Sequence, residues 1–222
     1  MDTAAMVLTL LKGLGISVLI FSLTLLFSLP LGLPVAFGNM CRCKWISWLF
    51  RIYISVMRGT PLMLQLLVWY FCPYYLFHIS LGSLEFCGID YRFTAVIIGF
   101  SLNYAAYFAE IYRSGINSIP AGQYEAAAVL GYGRAQTFLR IILPQVIKRI
   151  LPPVTNEIIT LVKDTSLAFS LSVLEMFTLA KQLANTYTST LPFIIAGVFY
   201  YIFNFIVDWT MRRCEQKLDY YR

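Results

Sequence analysis

The chain has 222 residues, of which 59% are hydrophobic and only 13% are charged, and its mean hydropathy is +0.71. Soluble domains are about half apolar and about a quarter charged, so this balance excludes an ordinary soluble domain and indicates an integral membrane protein. The net charge is +6, but the basic residues are spread between apolar runs, as juxtamembrane residues are. We therefore expect the chain to meet a lipid bilayer and no nucleic acid.

Five apolar runs are each long enough to cross a hydrocarbon layer about 30 Å thick, which takes about 20 helical residues. The first lacks the small-residue cleavage site of a secretory signal peptide, so we expect it to be retained. The second exceeds one straight crossing, and its first part is predicted to lie along the inner membrane surface. The predicted spans are Leu8–Phe37, broken near its end by Pro30 and Pro34, Trp45–Phe77, Phe93–Ile111, Ile141–Val162 with Pro152 and Pro153, and Phe193–Met211.

The distribution of lysine and arginine predicts the orientation, because cationic side chains collect on the cytoplasmic side. With the amino terminus outside, 13 of the 17 basic residues fall in segments predicted to face the cytoplasm. The remaining ones are Lys12, Arg92, Lys163 and Lys181. The sequence therefore predicts an all-α integral membrane protein with an outer amino terminus and a cytoplasmic carboxy terminus, in which residues 1–222 form a single transmembrane domain.

Two local features leave alternatives open. Residues 163–190, between the last two spans, have middling hydropathy and are predicted either to re-enter the membrane or to pack against the bundle. The five cysteines have no spacing typical of zinc or of a redox motif, so we expect no metal site. A disulfide between Cys72 and Cys87 on the outer face and ordinary thiols at both positions are the two alternatives there.

The segment Gly122–Gln145 interrupts the apolar chain with a polar, alanine-rich stretch. Ser118 and Pro120 are helix start signals, and Gly131 is a natural terminator in the left-handed conformation. These bounds predict a helix of about two to three turns, some 12 to 15 Å long, followed after Gly133 by a second helix that enters the membrane. A helix lying on lipid headgroups is one alternative, but its alanines bury too little area for that, which favours docking on a protein.

The same segment resembles a known family. Its spacing is Glu125-Ala126-Ala127, three residues, Gly131, nine residues, then Ile141-x-Leu143-Pro144, which is similar to the EAA loop of permease subunits of binding-protein-dependent ABC importers. The flanking segments are similar to the polar amino acid branch of that family. They are RGTPLMLQ at Arg58–Gln65, NYAAYFAEIYRSGI at Asn103–Ile116, GQYEAA at Gly122–Ala127, LPQ at Leu143–Gln145 and LVKDTSL at Leu161–Leu167. One departure is that Ala105 or Ala106 takes the position where most relatives have glycine, so helix packing there is expected to differ slightly.

The resemblance implies a type I ABC importer permease fold with a cytoplasmic coupling loop at about residues 117–140. In the family this loop seats in a groove of a cytosolic ATPase, and closure of two ATPases around ATP turns the pore from inward-open to outward-open. This sequence has no glycine-rich phosphate loop ending in Gly-Lys-Ser/Thr, so we expect the chain to be non-catalytic, with ATP and Mg bound by the partner. The other implied partners are a second permease subunit, identical or not, an extracytoplasmic solute-binding protein and an amino acid substrate, in a bacterial inner (cytoplasmic) membrane.

The resemblance also assigns roles within the coupling loop. Glu125 is expected to contact the ATPase, and Ala126 and Ala127 are expected to allow close seating. The alternative for Glu125 is a first-turn residue favoured by the helix dipole. Gly131 is expected to supply the turn after the helix. The remaining residues of the implied ATPase-coupling site are Gly122, Leu143 and Pro144.

Polar groups at membrane depth mark the candidate substrate path, because each costs about 2.5–3.5 kcal/mol there and therefore usually faces a cavity or the bundle interior. Arg58 either lines this path or reaches the inner headgroups and pairs with Glu110 or Glu157. Asp164 either offers its carboxylate to a substrate ammonium or caps the next helix. Together, Asp164 and Arg58 would contact both charges of an amino acid zwitterion. The candidate path residues are Arg58, Thr60, Asn103, Glu110, Asp164, Thr165 and Ser166.

Three other classes of protein remain as alternatives. An ion-gradient-driven secondary transporter of small solutes is the main one, but such transporters usually have inverted halves with matching interrupted spans, and five spans do not divide that way. A membrane enzyme is disfavoured because His78 is the only histidine and neither His-Glu-x-x-His nor Gly-x-Ser-x-Gly occurs. Only the docking helix argues against a passive scaffold. The sequence leaves open which amino acid is carried.

Overall fold

The structure is a computed structural model that describes residues 3–78, 85–86 and 89–218. Among these residues, three helices are long and apolar enough to cross a membrane, and five spans result if each of two bent helix pairs counts as one. The helices are α1 (Thr3–Asn39), α2 (Lys44–Gly59), α3 (Leu62–Phe77), α4 (Tyr91–Asn117), α5 (Ala121–Val129), α6 (Arg134–Thr137), α7 (Leu143–Asp164), α8 (Met176–Tyr187) and α9 (Leu191–Leu218).

Short non-α segments connect these helices. Strands β1 (Glu85–Phe86) and β2 (Ile89–Asp90) pair antiparallel between α3 and α4. A π-helical turn, Phe138–Ile142, precedes α7, and a 3₁₀ helix, Thr165–Leu171, follows it. Apart from these short segments, the described residues that have regular secondary structure are α-helical, which confirms the predicted all-α membrane fold. Cys87 lies outside the described residues, so the choice between a bridge and free thiols stays as the sequence left it.

Helix α1 is continuous over 37 residues and contains both Pro30 and Pro34. The predicted break near its end is therefore wrong. Proline is tolerated in membrane helices because neighbouring groups compensate for the missing backbone bond. Here α1 is supported along α4, and the two helices approach so closely that a Cβ on Gly32 would lie 3.0 Å from the Cβ of Phe108.

The second predicted span is two helices, α2 and α3, which meet at an angle of 113°. Thr60 and Pro61 are extended at the junction. This confirms that the apolar run is too long for one straight crossing. On α2 the apolar side chains Trp45, Leu49 and Val56 are exposed. Such a face fits the prediction that α2 lies along a membrane surface.

Helix α4 is the centre of the bundle, and α1, α2, α3 and α7 pack around it. A ladder of aromatic rings at four-residue spacing runs along it, with ring centroids 6.2 to 6.4 Å apart. Its members are Phe100, Tyr104, Phe108 and Tyr112. Ala105 and Ala106 are buried beside this ladder, where their small side chains allow close helix packing.

The segment between α7 and α9 packs against the bundle, where α8 contacts α1 and α9, and α8 also belongs to a bent helix pair that fits a broken span or a re-entrant loop. Glu175 caps the amino-terminal end of α8 and is fully buried. Its carboxylate accepts hydrogen bonds from the backbone N–H groups of Phe177 and Thr178 at 2.6 and 2.7 Å. It also accepts from the hydroxyl groups of Tyr200 on α9 at 3.1 Å and Ser17 on α1 at 3.5 Å. This one carboxylate joins three helices.

Candidate functional site

A cavity of about 280 Å³ collects several of the predicted path residues. Helices α3, α4 and α7 and the break after α2 supply its walls. The lining residues are Thr60, Leu62, Asn103, Tyr104, Tyr107, Glu157, Thr160 and Asp164. Three of the predicted residues, Thr60, Asn103 and Asp164, therefore come together from different parts of the chain. Two carboxyl groups line the same small space.

Asp164 is the last residue of α7, and its Oδ2 accepts a hydrogen bond from the Tyr104 hydroxyl at 2.8 Å. Its side chain makes no capping hydrogen bond to the 3₁₀ helix that follows. The capping alternative for this residue is therefore wrong. Glu157 lies seven residues earlier, which is two turns of helix and the same face. Helix α7 thus presents two carboxyl groups to the cavity.

Arg58 is not one of the residues that line this cavity, but its guanidinium carbon lies 5.2 Å from the centre of the ring of Tyr107, which does line it. This is a cation–π geometry. Arg58 also lines two larger clefts, of about 740 and 600 Å³, and Glu110 lines both with it. The carboxylate of Glu110 accepts two hydrogen bonds from Arg113, at 3.0 and 2.5 Å. Glu110 is therefore held by Arg113, which differs from the alternative of a pair with Arg58.

Asn103 holds the break between α2 and α3. Its Nδ2 donates to the carbonyl oxygen of Met57 at 2.8 Å and to Oε1 of Gln65 at 3.0 Å. Gln65 in turn donates from Nε2 to the Met57 carbonyl oxygen at 3.0 Å and to Thr60 Oγ1 at 2.7 Å. Both amides are buried. They satisfy a carbonyl that the break would otherwise leave without a partner.

Sequence reasoning missed Gln65, although a signal for it was present. The residue lies on the first turn of α3, four residues after Pro61, which has no backbone donor. A primary amide at that place can satisfy the carbonyl that the proline leaves free.

Thr165 and Ser166 are the first two residues of the 3₁₀ helix that follows α7, and neither lines the cavity. The Thr165 hydroxyl donates to the carbonyl oxygen of Val162 at 2.8 Å. The Ser166 hydroxyl donates to that of Lys163, also at 2.8 Å. Both hydroxyl groups therefore satisfy carbonyls in the last turn of the helix. Of the LVKDTSL segment, only the Asp164 side chain reaches the cavity.

Helix α5 of the coupling loop has nine residues, within the predicted length. Gly131 has φ +79°, which is the predicted left-handed conformation. The backbone N–H of Tyr132 donates to the carbonyl oxygen of Ala127, and that of Gly131 to Ala128, both at 3.0 Å. This pair of bonds is the Schellman motif that ends helices at glycine.

The two faces of α5 differ in exposure. Glu125 and Ala126 are exposed, and Val129 has 87% of its surface accessible. Ala127 is only 1% exposed, because it faces the chain's own loop. Close seating by both alanines is therefore not what the structure supports, since only Ala126 presents its side chain outward. Val129 is an apolar member of the outer face that the sequence reasoning missed.

Leu143 and Pro144 lie at the joint between the loop and α7. The Leu143 backbone N–H donates to the carbonyl oxygen of Phe138, five residues back, which defines the π-helical turn. Pro144 follows within the first turn of α7. These two residues therefore shape the joint, whereas the exposed Gly122 lies on the same face of α5 as Glu125 and Ala126.

The comparisons with known proteins agree with this geometry. Residues 28–220 match the family described as the binding-protein-dependent transport system inner membrane component. The L-cystine transport system permease protein TcyB of Bacillus subtilis (strain 168) is 36% identical over 201 residues, which cover 90% of this chain and 82% of that protein. The arginine transport system permease protein ArtQ of the same organism is 36% identical over 210 residues, covering 94% and 92%.

Solved structures extend the match to the fold. A crystal structure of an amino acid ABC transporter with histidines has a TM-score of 0.84 at 28% identity and covers 98% of this chain and 99% of that one. An inward-facing form of the MetNI methionine ABC transporter has a TM-score of 0.67 at 16% identity over 98% and 99% of the two chains, which shows the fold alone. The family match spans most of the chain, and the fold agrees with it from end to end. The chain belongs to the family of inner membrane components of binding-protein-dependent transport systems, with the type I ABC importer permease fold.

Proposed function

We propose that the chain forms the translocation path for a polar amino acid, delivered by an extracytoplasmic binding protein and driven by a separate ATPase. The observation that carries this proposal is a carboxylate that lines the cavity, together with a guanidinium that packs on an aromatic ring of the cavity wall. Asp164 supplies a carboxylate on one wall, and Arg58 supplies a guanidinium behind the Tyr107 ring. An amino acid zwitterion has a charge for each. Relatives named for cystine, arginine, octopine and glutamine transport support the substrate class.

The membrane orientation is part of the same proposal. The amino terminus lies outside, and α5 and the carboxy terminus lie in the cytoplasm of a bacterial cell. The excess of lysine and arginine in the predicted inner segments supports this. With this orientation, α5 faces the compartment in which ATP is available. The second permease subunit, identical or not, would complete the path.

Coupling to the ATPase is proposed to use the outer face of α5. Glu125 and Ala126 would enter a groove of the ATPase, with Val129 and the 73% exposed Leu130 adding apolar contact. Burial of two such side chains stabilises an interface by about 3–6 kcal/mol before the costs of association. ATP and Mg would be bound entirely by the ATPase.

Uptake by charge-neutral variants tests the cavity. Host cells lacking the chromosomal copy would express Asp164→Asn or Arg58→Gln and take up labelled L-cystine, L-arginine or L-glutamine. Loss of one charge-assisted hydrogen bond, worth about 1.5–3 kcal/mol, should weaken apparent affinity by about 10- to 100-fold. Arg213→Gln is the matched control, because Arg213 also lies 5.2 Å from an aromatic ring centre, that of Trp209, outside the cavity. Unchanged affinity in both cavity variants would contradict the proposed contacts.

A second experiment separates the proposal from an ion-gradient-driven secondary transporter. The tagged chain would be purified from native membranes and examined for an associated ATPase. Uptake should then stop when vanadate inhibits that ATPase and persist when an ionophore collapses the ion gradient. Transport in the absence of any nucleotide-hydrolysing partner would show the ATP-driven reading to be wrong.

A further inference from the structure

We infer that Gln145 and Arg149 are positioning residues that lock the coupling helix α5 to α7, so that a movement of α5 is delivered to the cavity. This inference rests on the proposed function. Neither residue lines the 280 Å³ cavity, although Arg149 lines the 600 Å³ cleft together with Arg58. We call the hydrogen bonds that join Gln145 to Gln123 and Arg149 to Ser118 the loop bracket.

The first half of the loop bracket joins α7 to α5 directly. Nε2 of Gln145 donates to Oε1 of Gln123 at 3.2 Å and to the carbonyl oxygen of Ile141 at 2.8 Å. The side-chain amide has two N–H donors, and these two bonds use both. Gln123 lies four residues before the buried Ala127 and therefore on the inner face of α5. The bond thus joins α7 to the side of α5 that carries the buried Ala127, although Gln123 itself is exposed.

The second half of the loop bracket joins α7 to the end of α4. Nη1 of Arg149 donates to the carbonyl oxygen of Ser118, the residue that caps the carboxy-terminal end of α4. A guanidinium on a helix-terminal carbonyl is a charge-assisted bond that the helix dipole strengthens. Gln145 and Arg149 are four residues apart, so both lie on one face of α7. That face holds both ends of the linker between α4 and α5.

An apolar cluster beneath the loop bracket stops the linker from sliding. Ile119 in the linker is 6% exposed and packs with Ile142 and Val146, which are 0% and 3% exposed. Close packing continues at Gly115, where a Cβ would lie 2.1 Å from Cγ2 of Ile150. The end of α4, the linker and the start of α7 therefore form one packed unit. Side chains packed this closely transmit displacement.

The other end of the same helix reaches the cavity. Helix α7 has 22 residues and is about 33 Å long at about 1.5 Å per residue. Glu157, Thr160 and Asp164, which line the cavity, all lie in its second half. A displacement of α5 that the loop bracket passes to α7 would therefore move the proposed substrate contacts. Without the loop bracket, α5 could turn about Gly131 and Ser118 while α7 stays in place.

The loop bracket predicts a specific defect in coupling. The complex would be isolated from native membranes, reconstituted with the binding protein, and assayed for ATP hydrolysis and for uptake of labelled L-cystine, L-arginine or L-glutamine. In Gln145→Leu, Gln123→Leu and Arg149→Gln, hydrolysis should stay within about 2-fold of wild type. The uptake per ATP should fall by about 2- to 10-fold, the range that corresponds to one hydrogen bond. Gln182→Leu, an exposed glutamine on α8, is the matched control and should keep the wild-type ratio.

Two further variants test whether the side chains act through each other. Combining Gln123→Leu with Gln145→Leu should lower uptake per ATP no more than either substitution alone, because both substitutions remove the same hydrogen bond. Combining Gln123→Lys with Gln145→Glu places an ion pair at the same position and should restore uptake per ATP. The inference is overturned by a wild-type ratio in the leucine variants, by additive losses in the double variant, or by uptake per ATP that the ion pair fails to restore. If the wild-type complex itself transports without hydrolysing ATP, the proposed function is wrong. That outcome is distinct from a failure of the loop bracket, which would leave wild-type transport dependent on ATP.

Discussion

Replacing Gln65 with leucine removes the side chain that spans the break in the second transmembrane segment. The side-chain amide of Gln65 can donate two hydrogen bonds at a time, and its Oε1 accepts a third from Asn103. The leucine variant loses all three. Side-chain hydrogen bonds in membrane proteins average about 0.6 kcal/mol. Asn103 still donates to the Met57 carbonyl oxygen in this variant. We therefore expect Gln65→Leu to lower the free energy of unfolding by about 2 kcal/mol.

Titration of the purified permease with SDS in mixed micelles measures this loss, and the four tryptophans supply the fluorescence signal. Gln182→Leu makes the same chemical change at an exposed position on α8. It should change the free energy of unfolding by no more than about 0.5 kcal/mol. If Gln65→Leu and Gln182→Leu unfold at the same SDS fraction, the break does not depend on the Gln65 amide, and the reasoning is refuted.

Two pairs of neighbouring glycines give further predictions. Gly131→Val should reduce ATP-driven uptake, because a β-branched residue resists φ +79° at a cost of about 1–2 kcal/mol or more. Gly133 has φ −68° and open space around it, so Gly133→Val should transport normally. Equal uptake by the two variants would contradict the role of the turn. Gly13→Ala should destabilise the chain by about 1–3 kcal/mol in the SDS titration, because its Cβ would lie 2.8 Å from the Cα of Met176. Gly15→Ala, with nothing within 4 Å, should not, and similar losses in both would show that close packing is not the cause.

The elements of the fold were predictable where a single physical rule decides them. Uninterrupted apolar runs identify the spans, and the excess length of the second run indicates its break. Gly131 in its polar setting predicts the end of α5. The effect of Pro30 and Pro34 was not predictable, because it depends on whether a neighbouring helix supports α1. That support comes from α4, which is remote in sequence.

The candidate site was only partly predictable for a related reason. A carboxylate at membrane depth marks Asp164 as a cavity residue, and its position agrees. Whether a small residue faces inward or outward depends on the packing of the whole loop. Ala126 and Ala127 are adjacent in the motif, yet one is exposed and the other is buried. Glu175 had no distinguishing spacing, and its three-helix contact appears only in the folded chain.

The helical backbone is interrupted at the cavity in two places, after α2 and after α7. These interruptions explain which polar residues bind the backbone and which face the cavity. Interrupted backbone at membrane depth is tolerated only where it is buried in protein or lines a water-filled space. Gln65 and Asn103 satisfy the Met57 carbonyl oxygen at the first interruption, and hydroxyl groups satisfy the end of α7 at the second. Because these groups already form hydrogen bonds with the interrupted backbone, the Asp164 carboxylate is not needed there. It has lone pairs in addition to the one that accepts the hydrogen bond from Tyr104. Asp164 and Glu157, the two carboxyl groups that line this cavity, are therefore the groups that we propose to receive a ligand's positive charge.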